Sequence, residues 1–289
     1  MSRLALGTAQ FGLQYGIANK TGQVTMTEIV AMLDLALSNG IDTLDTAIAY
    51  GESETSLGQA GIDDFNVVTK LPAIPDDCPQ FDAWVMAHVE ASLARLGVST
   101  IYALLLHRPE QLLGVHGKDL YKTLCRLKEC GKVLKVGVSI YNPLELDELL
   151  RLYHFDLVQA PFNIIDSRLL RTGWLQRLKD QEVEIHTRSA FLQGLLLMPA
   201  NAVPSKFTPW SDLFKRWYTW LADQNVSPVQ ACLAYPLTFP EIDRVVFGAD
   251  SIEQLDQIIK ASSIILPDHL PDLYCEAENL INPSCWSSL

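Results

Sequence analysis

Eight short apolar runs, separated by longer stretches of helical period, restrict how this chain can fold more than any other feature of it. The runs are Leu4–Leu6, Ile41–Leu44, Asn66–Thr69, Ile101–Leu106, Val133–Val138, Leu157–Ala160, Val183–Thr187 and Arg244–Phe247. Each is too short for a helix, and most are apolar throughout, as a strand covered on both faces must be. Thr27–Asn39 has an apolar face of Ile29, Val30, Leu33, Ala36 and Leu37, Asp82–Leu96 one of Val85, Val89, Leu93 and Leu96, and Leu120–Cys130 one of Leu120, Leu124 and Leu127. Pro143–Tyr153, Leu169–Gln181, Trp210–Gln224 and Ser251–Ser262 continue the helical series. Gly40, Gly97 and Gly131 stand where helices want a left-handed C-cap, and Ser227-Pro228 reads as an N-cap with proline at the first helical position. The alternation predicts the α/β class: a closed parallel (β/α)8 TIM barrel, a single domain over residues 1–289. The competing architecture, a doubly wound open sheet, usually shows G-x-G-x-x-G after its first strand. Gly7-Thr8-Ala9-Gln10-Phe11-Gly12 does not match it, and no phosphate-loop pattern occurs.

A chain of 289 residues that is 48% hydrophobic can bury one large core. Its net charge of -12 argues against a nucleic-acid partner, which needs clustered Lys and Arg. No apolar stretch reaches the roughly 18 residues of a membrane span. The N-terminus turns polar too soon for a secretion signal, so a cytoplasmic protein is expected. The six cysteines are scattered without a C-x-x-C, and no His pair has zinc spacing, so no metal is expected. The expected partner is a small molecule, and the expected state a monomer or weak homo-oligomer. Two Pro-containing segments, Met198–Pro209 and Leu266–Leu289, interrupt the alternation and in a barrel would cover the catalytic mouth.

Asp45, Thr46, Ala47, Tyr50, Gly51, Ser53, Glu54 and Gly58 form the pattern D-T-A-x-x-Y-G-x-S-E-x-x-x-G beside the second run. Lys70 ends the third run and His107 the fourth. A parallel barrel puts its chemistry at those C-terminal strand ends. A phenol has a reference pKa of about 10 and needs an adjacent cation to give up its proton readily. Lys70 could supply that charge, and Asp45 could keep a buried Lys70 protonated. His107 could orient a carbonyl oxygen. Singly, such residues are more often a turn-capping Asp, a packed Tyr, a solvated Lys and a structural His. Together on consecutive strand ends they describe a general acid for carbonyl reduction, with no activated Ser or Cys nucleophile.

These segments resemble the aldo-keto reductase superfamily, and in particular its bacterial members. The motif around the family's catalytic Asp and Tyr is matched by Asp45-Thr46-Ala47-Ile48-Ala49-Tyr50-Gly51, its Lys by Lys70 and its His by His107. The resemblance extends from Gly7 through Gly248 and Gln254. It implies a barrel that binds NADP(H) or NAD(H) without a Rossmann motif, with Tyr50 as proton donor, Lys70 and Asp45 tuning it, and His107 positioning the carbonyl of a small substrate.

The resemblance also implies cofactor contacts. Gly7 and Thr8 match the first strand and turn, and Ser139 and Gln159 the carboxamide-holding positions, with Ile140 where Asn is usual. After strand seven, Arg188-Ser189-Ala190-Phe191-Leu192-Gln193-Gly194 places Arg188 where many members stack an aromatic ring on the nicotinamide. Arg188 would bias the enzyme towards reduction or reach an anionic substrate. Ser189, Phe191, Gln193 and Gly194 belong to the same implied contact. At the adenosine end stand Gly248, Ser251, Gln254 and Gln257, with the helix start at Ser251 offering amides to an anion. Asp250 and Glu253 stand where the family often has bases for a 2'-phosphate, so NADP and NAD both remain open. The Arg188–Gly194 variant is similar to members associated with surface-polysaccharide gene sets, which implies a sugar-derived aldehyde or ketone. Two other readings keep the barrel: a nucleotide-binding redox sensor without turnover, and a lyase or epimerase without net redox.

Overall fold

The computed structural model describes residues 2–19, 22–267 and 269–288. Its strands are β1 (Leu4–Gly7), β2 (Thr43–Asp45), β3 (Asn66–Leu71), β4 (Ile101–Leu106), β5 (Val133–Ser139), β6 (Leu157–Pro161), β7 (Glu184–Arg188) and β8 (Arg244–Gly248). They pair in sequence order as a closed barrel, every ladder parallel, with β1 against β8 sealing it. This is the (β/α)8 architecture that the alternation predicts. A closed sheet leaves no unpaired edge and covers both faces of every strand, which is why the strands read as apolar blocks.

The helices are α1 (Met26–Ser38), α2 (Ser53–Ala60), α3 (Phe81–Leu96), α4 (Gly117–Glu129), α5 (Glu145–Leu152), α6 (Arg168–Arg171), α7 (Trp174–Asp180), α8 (Ser211–Gln224), α9 (Pro228–Leu237), α10 (Ile252–Ala261) and α11 (Glu278–Ile281). The expected stripes of α3 and α4 are the buried ones: Val85, Val89, Leu93 and Leu96, then Leu120, Leu124 and Leu127. In α1 the buried stripe is Ile29, Met32, Leu33 and Ala36, while Val30 faces outward. Gly40, Gly97 and Gly131 have φ of 72°, 70° and 69°, and Ser227 closes a capping box with Gln230.

Four local expectations change. Ile41 lies outside β2, because its amide closes the end of α1 on the Ala36 carbonyl at 2.9 Å. β3 continues past Thr69 to Leu71, so Lys70 lies within the strand. The helix expected over Leu169–Gln181 is broken into α6 and α7, where Gly173 turns left-handed and the Thr172 hydroxyl bonds back to the Arg168 carbonyl at 2.8 Å. The segment carrying Ser53 and Glu54 is α2, a helix that the helical series read from the sequence does not include.

The tail returns over the barrel. The Cys275 amide donates to the Ile165 carbonyl at 3.0 Å. Lys206 donates to the Trp286 carbonyl at 2.8 Å, and Trp286 packs edge-on against Phe207. The two segments expected to cover the mouth thus meet each other. Among the described residues, no helix is long and apolar enough to cross a membrane.

Candidate active site

The D-T-A-x-x-Y-G-x-S-E segment is a junction before it is a site. Ser53, fully buried at the start of α2, donates to the Thr8 carbonyl at 2.8 Å. Its oxygen also lies 2.9 Å from the Thr8 hydroxyl and 3.0 Å from that of Thr46. Thr8 in turn donates from its amide and hydroxyl to the Asp45 carbonyl at 2.9 and 3.1 Å. One serine therefore ties the ends of β1 and β2 to α2. Glu54, 2% exposed, accepts from Thr69 and Ser92 at 2.6 Å each and from Arg95 at 2.9 and 2.6 Å. That carboxylate anchors α2 to α3 and to β3 one residue before Lys70. Gly12 makes room for the junction, since a Cβ there would lie 1.9 Å from the Tyr50 carbonyl oxygen.

On this frame Asp45, Tyr50, Lys70 and His107 line a single cavity of about 690 Å³. Lys70 is 1% exposed and donates to Asp45 Oδ1 at 2.7 Å and to the Thr46 carbonyl at 2.8 Å. Burial lowers the Lys70 ammonium, and Asp45 opposes that. The Lys70 Nζ lies 5.2 Å from the Tyr50 ring centroid, and the Tyr50 and His107 rings meet edge to face at 6.3 Å. Burial and then Asp45 push the Tyr50 phenol above its ordinary value, and Arg188 works against them. Arg188, rather than Lys70, is the cation that acts to lower the phenol. His107 is drawn down to about 4, by burial first and then by Lys70 and Arg188, so its ring is neutral at neutral pH.

The expected cofactor positions fall on the same cavity with one exception. Gly7, Thr8, Ser139 and Gln159 line it near Asp45, where the Ser139 hydroxyl donates to Gln159 at 3.0 Å and Gln159 donates to Asp45 Oδ2 at 2.6 Å. Arg188, Ser189, Phe191, Gln193 and Gly194 form one wall, and Gly248, Gln254 and Gln257 lie at the other end. Ser251 is not on the wall. Its hydroxyl instead caps α10, accepting from the Gln254 amide at 3.2 Å. Two of the amides expected to greet an anion there are already engaged, Ile252 donating to Glu28 at 3.3 Å and Gln254 to Ser251, while the Asp250 amide just before them donates to the Gln254 side chain at 3.0 Å.

Several lining residues were not singled out from sequence: Gln10, Tyr15, Asn19 and Tyr141. Tyr15 accepts from the Gln193 amide at 3.2 Å, and Asn19 donates to Asp250 at 3.3 Å, so the turn after β1 touches both the β7 and the β8 loops. The usable signal was an aromatic flanked by glycine in the loop that follows a strand, as in Tyr15-Gly16. After β7, Ser189, Leu192 and Gln193 have φ of 66°, 48° and 51°, conformations that cost non-glycine residues energy and cluster at functional sites. Among the described residues no group of His, Cys, Asp and Glu could hold a metal.

The Aldo/keto reductase family model matches residues 3–270. The chain belongs to that family. An aldo-keto reductase of Mycobacterium sp. (strain KMS) is 38% identical over 122 residues, which are 40% of this chain and 42% of that relative, so the match spans less than half of its length. An NADH-specific methylglyoxal reductase of Escherichia coli is 24% identical over 310 residues, 93% of this chain and 92% of that one. The fold is similar to that of an aldo-keto reductase from Bacillus halodurans solved in its holo form, with a TM-score of 0.73 and 21% identity over 92% of this chain and 89% of that one.

Proposed function

We propose that this aldo-keto reductase reduces an aldehyde or ketone to an alcohol with a reduced nicotinamide dinucleotide, and that Tyr50 delivers the proton. The observation that carries the reading is the shared cavity wall, on which His107 and Tyr50 stand beside a buried Lys70–Asp45 pair at 2.7 Å. The cavity volume of about 690 Å³ lies within the ordinary range of about 300–1,000 Å³ for a bound small molecule or cofactor. Its division fits a dinucleotide, with reacting groups at one end and the amides of Gln254 and Gln257 at the other. Ser139 and Gln159 would hold the carboxamide.

When bound, the cofactor supplies a hydride and is itself oxidised. The chain does the rest. His107 donates an N–H to the carbonyl oxygen and holds it without protonating it. As charge gathers on that oxygen it becomes far more basic than a phenolate, so the Tyr50 proton moves to it even from a phenol held above its ordinary pKa. Asp45 keeps Lys70 charged, and Gln159 fixes the second Asp45 oxygen.

Among the described lining residues the only Lys and Arg are Lys70 and Arg188, both at the reacting end. The adenosine end carries Asp250, with Glu28 on the α10 amide. A 2'-phosphate there would meet carboxylates, which supports NADH over NADPH, the direction also suggested by the name of the Escherichia coli relative.

The test is oxidation of NADH and of NADPH with 4-nitrobenzaldehyde, by wild type and Tyr50→Phe. Tyr50→Phe is expected to lower kcat by about 10²–10⁴-fold with nucleotide binding kept. Full activity in Tyr50→Phe would remove Tyr50 as the donor. NADH is expected to be preferred by about tenfold or more, with Asp250→Arg narrowing the gap. Nucleotide binding without turnover of any carbonyl would favour a redox-sensing barrel.

A further inference from the structure

Arg188 is the charge that the reading above does not use. It ends β7, lines the cavity and lies 4.6 Å over the Tyr141 ring. One N–H donates to the Ile140 carbonyl at 3.0 Å, and another reaches the Ser189 hydroxyl at 3.3 Å. Ring and carbonyl hold the guanidinium plane, while the remaining N–H groups of its five-donor fork have no hydrogen-bond partner among the described residues.

Three neighbouring charges have hydrogen-bond or ion-pair partners of their own. Lys70 is taken by Asp45. Glu145 accepts the Tyr141 and Asn142 amides at 2.9 and 2.6 Å. Glu110 pairs with Arg108 at 2.8 Å out in solvent. Among the described residues Arg188 forms no ion pair, yet it is close enough to act electrostatically on Tyr50, Lys70 and His107 at once. It also acts on the Glu145 carboxylate without pairing with it, so a held guanidinium with no ion-pair partner among the described residues faces the groups that grip a carbonyl.

We infer that the physiological substrate is a carbonyl compound bearing an anionic group, a carboxylate or a phosphate, and that Arg188 on its Tyr141 platform binds that group. The inference rests on the reductase reading and names its substrate class. Arg suits the role because its fork matches the paired oxygens of either anion. The stacking platform supplies rigidity, so little freedom is lost on binding.

The experiment compares two pairs of aldehydes that differ in charge: 4-carboxybenzaldehyde with 4-nitrobenzaldehyde, and glyceraldehyde 3-phosphate with glyceraldehyde. Each is assayed with the nucleotide that wild type uses, in wild type, Arg188→Met and Arg188→Lys, with thermal unfolding checking that each variant folds. The charged member of at least one pair is expected to have a kcat/KM about tenfold or more above its partner, mainly through KM. That ratio should collapse in Arg188→Met and survive in part in Arg188→Lys. The pair that shows it distinguishes carboxylate from phosphate. No charge preference in wild type, or a ratio that persists in Arg188→Met, overturns the inference. Loss of charged and neutral substrates in equal proportion also overturns it, because that is what a structural or nicotinamide-facing arginine would do. Failure of wild type to reduce any of the four aldehydes would instead sink the reductase reading, and the inference with it.

Discussion

His107 and Glu184 show how single residues set the pH behaviour of this protein. The folded value of His107, about 4, lies below its ordinary 6.5, so protonation favours the unfolded chain. Its contribution to stability is complete above about 6.5 and is lost as pH falls from there towards 4. Glu184, held at about 2 by His186, Lys135 and Tyr102 against the opposing effect of burial, contributes above its ordinary 4.5 and is lost as pH falls through 2. Denaturant midpoints measured from pH 7 to pH 4 should therefore fall in wild type, and fall less steeply in His107→Gln. A steady-state rate profile should show no His107 ionisation between pH 5 and 8, since the ring is already neutral there. That Asp45, Tyr50, Lys70 and His107 share a cavity was legible in sequence because they stand at fixed spacing beside strand ends. Tyr15 and Tyr141 were not, because their place in the cavity depends on loops that meet only in the folded chain. Tyr15 touches Gln193 across 178 positions of sequence.

At the scale of elements, the strands were readable because burial on both faces writes an unbroken apolar run. α2 was not readable, since Ser-Glu-Thr-Ser-Leu-Gly-Gln-Ala offers only Leu57 as a large apolar residue and is held instead by polar groups. The buried side chains of Ser53 and Glu54 replace the hydrophobic stripe that would have marked it. Glu54→Ala leaves Arg95, Ser92 and Thr69 without their shared acceptor and is expected to cost about 3–5 kcal/mol, read from urea unfolding. Glu54→Gln should cost less, about 1–3 kcal/mol, because it keeps one acceptor oxygen. Gly12→Ala tests the same junction from its other side. The added methyl would meet the Tyr50 carbonyl oxygen at 1.9 Å, so backbone must move. Its kcat should fall more than its nucleotide affinity, as expected for a displaced Tyr50.

Across the whole molecule, the barrel collects the ends of strands that lie far apart in sequence, and loops then complete what the strands began. The turn after β1 bridges to Gln193 on one side and to Asp250 on the other, so the cavity is partly roofed by contacts between loops. The acidic lining at α10 has a consequence for encounter rather than for affinity. The chain carries a net charge of -12, the two lining cations among the described residues stand at the reacting end of the cavity, and the dinucleotide that would enter is itself an anion. Beyond a screening length of about 8 Å in physiological salt, an incoming nucleotide feels the acidic exterior before it feels Lys70 or Arg188. Stopped-flow association, followed by tryptophan fluorescence, should therefore quicken as ionic strength rises from about 10 to about 150 mM, the reverse of an electrostatically steered enzyme. A rate that slows over that range would mean that Lys70 and Arg188 are already felt from outside the cavity. In either case the diffusing ligand, rather than the bound one, reports how the charge of this barrel is distributed.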